Sequence, residues 1–176
     1  MLYVCMYIKD LINKLQIFKK NIIVPENNIK LNKKLYNIII IDDSEITRKL
    51  ICNIFKNNSK INNISIANDG LDAINKICNN INGYDIVFID NQMPNLNGIQ
   101  VIKLLRGINF NKIIFGITGS SNDELIDFNL CGADYVFQKP LNNVKINLLM
   151  DFINKDDMSR PNNKKLQIVN AELKWL

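Results

Sequence analysis

The sequence predicts an α/β fold, a doubly wound (βα)5 three-layer sandwich with a parallel five-stranded sheet. Two observations predict it. Five short strand-like runs recur at 36–41, 61–67, 85–90, 112–118 and 134–138, those at 36–41, 85–90 and 112–118 being apolar. Between them, and after the last, apolar residues repeat at helical spacing. Apolar strands alternating with amphipathic helices bury a parallel sheet under helices on both faces, with right-handed crossovers.

Each element has its own reason. Residues 36–41, Tyr-Asn-Ile-Ile-Ile-Ile, form a continuous apolar run that suits a strand buried on both faces. Ser44 then opens a helix whose stripe is Leu50, Ile51, Ile54 and Phe55. Residues 61–67 read as the second strand, and Leu71, Ile74, Ile77 and Cys78 mark a helix from Gly70 to Asn80. The third strand, Asp-Ile-Val-Phe-Ile-Asp at 85–90, ends in a carboxylate, and a loop with Pro94 and Gly98 follows. Ile99, Ile102, Leu104 and Leu105 mark the next helix. The strand at 112–118 ends in Thr118. Ser121 or Asn122 caps a helix that stops near Cys131, where Gly132 suits the residue just past a helix end. The fifth strand leads into Lys139-Pro140, and a last helix runs from about Asn142 to Ile153.

Composition narrows the function classes. The 176 residues are 47% hydrophobic and 22% charged, which is ordinary globular composition. There is no histidine, so a His nucleophile, a His base and a phosphohistidine in this chain are excluded. No apolar run reaches the roughly 18 residues of a membrane-spanning helix, and Lys9 and Asp10 arrive too early for a secretory signal. Cys5, Cys52, Cys78 and Cys131 form no CxxC pair and read as reduced thiols of a cytoplasmic protein. Asn, Ile and Lys together supply 80 residues, a codon bias that fills loops with asparagine.

Three regions are expected: a basic extension at 1–34, a domain at 35–154 and a polar tail at 155–176. The net charge of +5 sits in residues 1–34, whereas 35–150 is net −1. That distribution argues against nucleic acid as the ligand of the central domain. In the extension, Val4, Ile8, Leu11, Leu15, Phe18 and Ile22 make a heptad-like seam that Pro25 ends. It reads most simply as a helix packed on its own domain or a frayed arm; a dimer or partner helix and a basic membrane-surface helix are the other readings. Twenty-two tail residues are too few for a winged-helix or helix-turn-helix output domain.

The chemistry gathers at strand ends. Asp42 and Asp43 follow the first strand, Asp90 ends the third, Thr118 ends the fourth and Lys139 follows the fifth. In doubly wound sheets these ends share one cleft near the switch point. Several carboxylates crowded together repel, and a divalent cation relieves this; hard oxygen ligands with room for waters suit Mg²⁺. A lysine adds a mobile charge for a phosphoryl oxygen, and a hydroxyl adds a hydrogen bond. Such a set is a kit for phosphoryl transfer to an aspartate.

The stretches IIIIDDSEITRKL, DIVFIDNQMPNLNG, IIFGITGSS and GADYVFQKPL resemble the receiver domain of two-component response regulators and hybrid histidine kinases, over about residues 35–154. The resemblance implies a flavodoxin-like sheet of order 2-1-3-4-5. It implies Asp90 as phosphoacceptor, Asp43 as a direct Mg²⁺ ligand and Asp42 as one acting largely through water. It further implies Gln92 as a ligand through its backbone carbonyl, Lys139 at the acyl phosphate, Thr118 as the sensing hydroxyl and a cis bond before Pro140. The implied function is a phosphorelay switch without turnover of an external substrate. Its implied partners are a sensor histidine kinase or histidine phosphotransfer protein and a target protein at the face of helix four, strand five and helix five; no sequence-specific DNA binding is expected. Asn97 stands where aspartate is common in the family, Gly119 where alanine is, and Val136 where many members carry Tyr or Phe. Tyr135 beside it should point to the opposite face of the strand, and Tyr135 and Phe137 read as packing residues.

A phosphatase with a nucleophilic aspartate usually shows Asp-x-Asp, whereas Asn91 and Gln92 follow Asp90 here. A C-terminal receiver fragment of a hybrid histidine kinase is a further alternative; no His-box or ATP-lid segment lies in residues 1–34, so the chain alone is not expected to be a kinase. A degenerate receiver used only for docking is disfavoured because every phosphorylation residue is present.

Overall fold

The computed structural model describes residues 34–119, 122–155 and 167–169. The elements run β1 (Tyr36–Ile41), α1 (Glu45–Phe55), β2 (Ile61–Ala67), α2 (Gly70–Asn79), β3 (Ile86–Asp90), α3 (Gly98–Gly107), β4 (Ile113–Thr118), α4 (Asn122–Cys131), β5 (Tyr135–Gln138), α5 (Asn143–Asn154) and β6 (Gln167–Val169). The strands lie in the order β2-β1-β3-β4-β5-β6, every pair parallel. The first five reproduce the expected order 2-1-3-4-5.

The helices begin where short polar side chains satisfy the first free amides. Ser44 Oγ accepts from Thr47 N at 3.3 Å, Asp69 Oδ1 from Asp72 N at 2.8 Å and Asn142 Oδ1 from Lys145 N at 3.0 Å. Asn97 and Gln100 close a reciprocal capping box at the start of α3. The α4 helix ends at Cys131, and Gly132 takes φ +103°, a conformation L side chains rarely adopt.

Strand alternation divides the core. Ile39, Ile41, Val87, Ile89, Ile114 and Val136 face a cluster with residues of α2, α3 and α4. Ile38, Ile40, Phe88, Phe115, Tyr135 and Phe137 face the other cluster, with Ile51 and Phe55 of α1 and Leu149 and Ile153 of α5. A row of rings crosses this second face: Phe55, Phe88, Phe115 and Tyr135 stack at centroid spacings of 5.1, 5.0 and 5.1 Å. Phe152 closes on Phe115 and Tyr135 edge-on. Tyr135 and Phe137 are therefore packing residues, and Tyr135 lies across the sheet from Val136. At the opposite end of the sheet from the strand carboxyl ends, Arg106 ties α3 to Asp134 Oδ2 at 2.7 Å, to Gly132 O at 2.9 Å and to Lys112 O at 2.9 Å.

β6 was not anticipated. It pairs with the outer edge of β5, with Val136 opposite Ile168, so the edge beside Val136 is occupied by the chain itself. The heptad-like seam of residues 1–34, a cap at Ser121 and the rest of the tail lie outside the described residues. No described helix is long and apolar enough to cross a membrane.

Candidate functional site

The parallel register sets the site. Ile41 pairs with Ile89, so the next residues, Asp42 and Asp90, emerge side by side from β1 and β3. Thr118 pairs with Gln138, which places Lys139 just beyond β4. Four residues separated by dozens of positions in sequence thus meet at one sheet end.

Lys139 joins them. Its Nζ lies 2.8 Å from Asp90 Oδ1 and 3.0 Å from Asp42 Oδ2. Both carboxylates are almost fully buried, while the lysine side chain is 30% exposed. The remaining oxygens are met by backbone: Ser44 N donates to Asp42 Oδ1 at 2.8 Å, and Gln92 N to Asp90 Oδ2 at 2.8 Å. Burial raises the pKa of the Asp90 carboxyl, against the pull of Lys139 and with the Asp42 charge adding to the rise. Burial alone would lower the Lys139 ammonium, but its bonds to Asp90 and Asp42 outweigh this and its pKa is raised. The geometry holds the Asp90 carboxyl directly beside the Lys139 side chain.

Asp43 sits exposed at the rim, and Arg48 Nη1 donates to the Asp42 carbonyl at 2.6 Å, pinning the peptide that leads to Asp43. Thr118 is fully buried at the end of β4, and its carbonyl accepts from Lys139 N at 2.7 Å. The peptide before Pro140 is cis.

The loop after Asp90 is folded back on itself. Asn91 O accepts from Met93 N and Gly98 N, both at 3.1 Å, and Asn91 Oδ1 accepts from Ile99 N at 3.3 Å. A Cβ on Gly98 would run into the Asp90 carbonyl oxygen, so glycine is what lets α3 start this close to the end of β3.

The donor set fits Mg²⁺ in kind: carboxylates of Asp42, Asp43 and Asp90 and the Gln92 carbonyl are all hard oxygens, and Mg²⁺ usually takes only one or two carboxylates and keeps waters. Among the described residues no three acidic or thiol side chains converge tightly enough to hold a metal on their own; Lys139 stands between Asp42 and Asp90 and balances the pair. Sequence reasoning passed over Asn91, Arg48 and Lys145, whose roles are hydrogen bonds to backbone with no motif to announce them.

Residues 38–151 match the model of the response regulator receiver domain, and the chain belongs to that family. It is 29% identical over 121 residues to the two-component response regulator ARR22 of Arabidopsis thaliana, covering 68% of this chain and 84% of that protein. With stress response regulator protein 1 of Candida tropicalis it shares 31% over 110 residues, 61% of this chain and 41% of that one. Among solved structures, CheY of Borrelia burgdorferi in complex with CheX, BeF3 and Mg²⁺ superposes with a TM-score of 0.60 at 28% identity, covering 68% of this chain and 88% of that one. The chain thus carries a receiver domain of two-component signalling.

Proposed function

We propose that this chain is a phosphorylation-controlled protein switch, and that Asp90 accepts a phosphoryl group from a phosphohistidine on a partner kinase or phosphotransfer protein. The observation that carries this reading is Lys139 Nζ bridging the two buried carboxylates of Asp42 and Asp90. An Asp90 oxygen attacks phosphorus, the P–N bond to the donor imidazole breaks, and a P–O bond forms on Asp90. Lys139 then exchanges its carboxylate partner for a phosphoryl oxygen. Thr118, whose carbonyl accepts from the Lys139 amide, turns its hydroxyl toward the new group. Asp42, Asp43, Asp90 and the Gln92 carbonyl would hold Mg²⁺, which supplies positive charge for the phosphoryl oxygens when bound.

The chain's own turnover is limited to its phosphorylation and hydrolysis; no external substrate is transformed. Residues 35–154 form the receiver, and 1–34 and 155–176 are appendages. The target docks on the face of α4, β5 and α5, beside the β5 edge that β6 occupies, where Ile126 and Leu130 of α4 and Val144 of α5 are exposed apolar residues. The slight negative charge of 35–150 disfavours a DNA backbone as target, and the placement is cytoplasmic.

The test is incubation with a small acyl-phosphate donor and Mg²⁺, followed by intact mass. One added phosphate is expected, absent when Mg²⁺ is chelated and absent in Asp90→Asn. Asp43→Ala should weaken Mg²⁺ binding in a direct titration, since it removes a charged oxygen ligand. A mass gain that persists in Asp90→Asn would contradict the assignment.

A further inference from the structure

We propose that Lys145 is a positioning residue for Lys139. It lies in the first turn of α5, three residues after the Asn142 cap. A cation there faces the positive end of the helix dipole, where acids are favoured. Its side chain is nonetheless buried, the residue only 7% exposed. Among the described residues no carboxylate forms an ion pair with it. Burying an ammonium without a counter-charge is costly unless it is well hydrogen-bonded, so its bonds say what the charge is used for.

Nζ donates to Gln138 O at 2.5 Å and to Pro140 O at 3.2 Å. These two carbonyls stand on either side of Lys139. The Lys139 amide is already fixed to Thr118 O at 2.7 Å. The backbone of Lys139 is therefore gripped from β4 on one side and from α5 on the other. Its long side chain can then reach Asp90 and Asp42 from a fixed root. Without Lys145, the Gln138 and Pro140 carbonyls each lose an ammonium donor, while Pro140 O keeps its bond from Asn142 N at 3.0 Å. A displacement of the reacting groups by about 1 Å can cost on the order of 100-fold in rate.

The inference rests on Lys139 meeting the phosphoryl group, and the experiment separates the two. The full chain and the variants Lys145→Met, Lys145→Arg, Lys139→Met and the double Lys139→Met/Lys145→Met are loaded with a small acyl phosphate at saturating Mg²⁺. Loading rate and Mg²⁺ affinity are both measured, under conditions where thermal melts show each variant folded. Lys145→Met is expected to load about 10-fold more slowly with Mg²⁺ affinity nearly unchanged. Lys145→Arg, which keeps charge and donors, should recover most of the rate. In the Lys139→Met background, Lys145→Met should add little, because the second change acts through the first. Equal loading by Lys145→Met and wild type overturns the proposal, as does a full additive loss in the double variant. If wild type itself takes no phosphate, the function proposed above fails and this inference with it.

Discussion

The backbone amide of Lys139 donates to the carbonyl of Thr118 at 2.7 Å, so the lysine that bridges Asp42 and Asp90 and the hydroxyl residue at the end of β4 share one hydrogen bond. A displacement of the Lys139 backbone should therefore reach the Thr118 peptide through this bond. The coupling matters because a two-state element can be biased only by differential contacts.

Thr118→Ala keeps that carbonyl and removes the hydroxyl. The variant should still load phosphate, within about twofold of the wild-type extent, but its phosphorylated and unphosphorylated amide spectra should differ less in β4 and β5. A wild-type-sized shift in those strands would refute the sensing role.

Lys139→Met should separate binding from chemistry. Removing the ammonium leaves two buried carboxylates with less compensation, so Mg²⁺ affinity should rise while the loading rate falls by about 100-fold, the usual cost of losing one charged transition-state contact. Isothermal titration and a loading time course read the two effects. A fall in Mg²⁺ affinity, or an unchanged rate, would show that Lys139 is not placed as described.

Gly98→Ala should destabilise the domain by about 1–3 kcal/mol, because the added Cβ meets the Asp90 carbonyl oxygen. Either α3 or the end of β3 must move, so loading should slow as well. Urea unfolding beside a loading assay checks both, and a variant as stable and as fast as wild type would mean the loop can give way freely.

Alkaline pH should expose the buried thiols. Burial pushes Cys78 and Cys131 up to about 11 from an ordinary value of 9.0. As pH rises past 9.0, the unfolded chain releases these protons first. The folded state then binds more protons than the unfolded one, and stability falls until the folded thiols ionise near 11. The loss is about 1.4 kcal/mol per pKa unit for each thiol. Chemical unfolding across that window should show a shallower decline in Cys78→Ala and Cys131→Ala than in wild type; parallel declines would mean these thiols do not drive it.

What was legible in the sequence was what strand periodicity and strand-end chemistry encode. The five runs located the strands to within a residue: β3 and β4 are buried throughout, whereas the edge strand β2 carries exposed Asn62 and Asn63 and was read from its place in the alternation. Asp42, Asp90, Thr118 and Lys139 could be gathered into one cleft because parallel connectivity leaves every carboxyl end on the same side. Lys145 was invisible, since a lysine in a helix carries no mark of which carbonyls it will reach. β6 was invisible too: Gln167, Ile168 and Val169 are too few to show a period, and only the free edge of β5 gives them a partner. Val136 lies on the β5 edge that pairing with Ile168 closes.

The most direct measurement is to locate the phosphate chemically. The chain loaded with acyl phosphate and Mg²⁺ is treated with borohydride, which reduces an aspartyl phosphate to homoserine, and the digest is sequenced by tandem mass spectrometry. The account predicts homoserine at position 90 in the peptide carrying Asn91, Gln92 and Met93, and none in unloaded protein. Homoserine at Asp42 or Asp43 instead, or no reduced residue in a chain that has gained a phosphate, would contradict it.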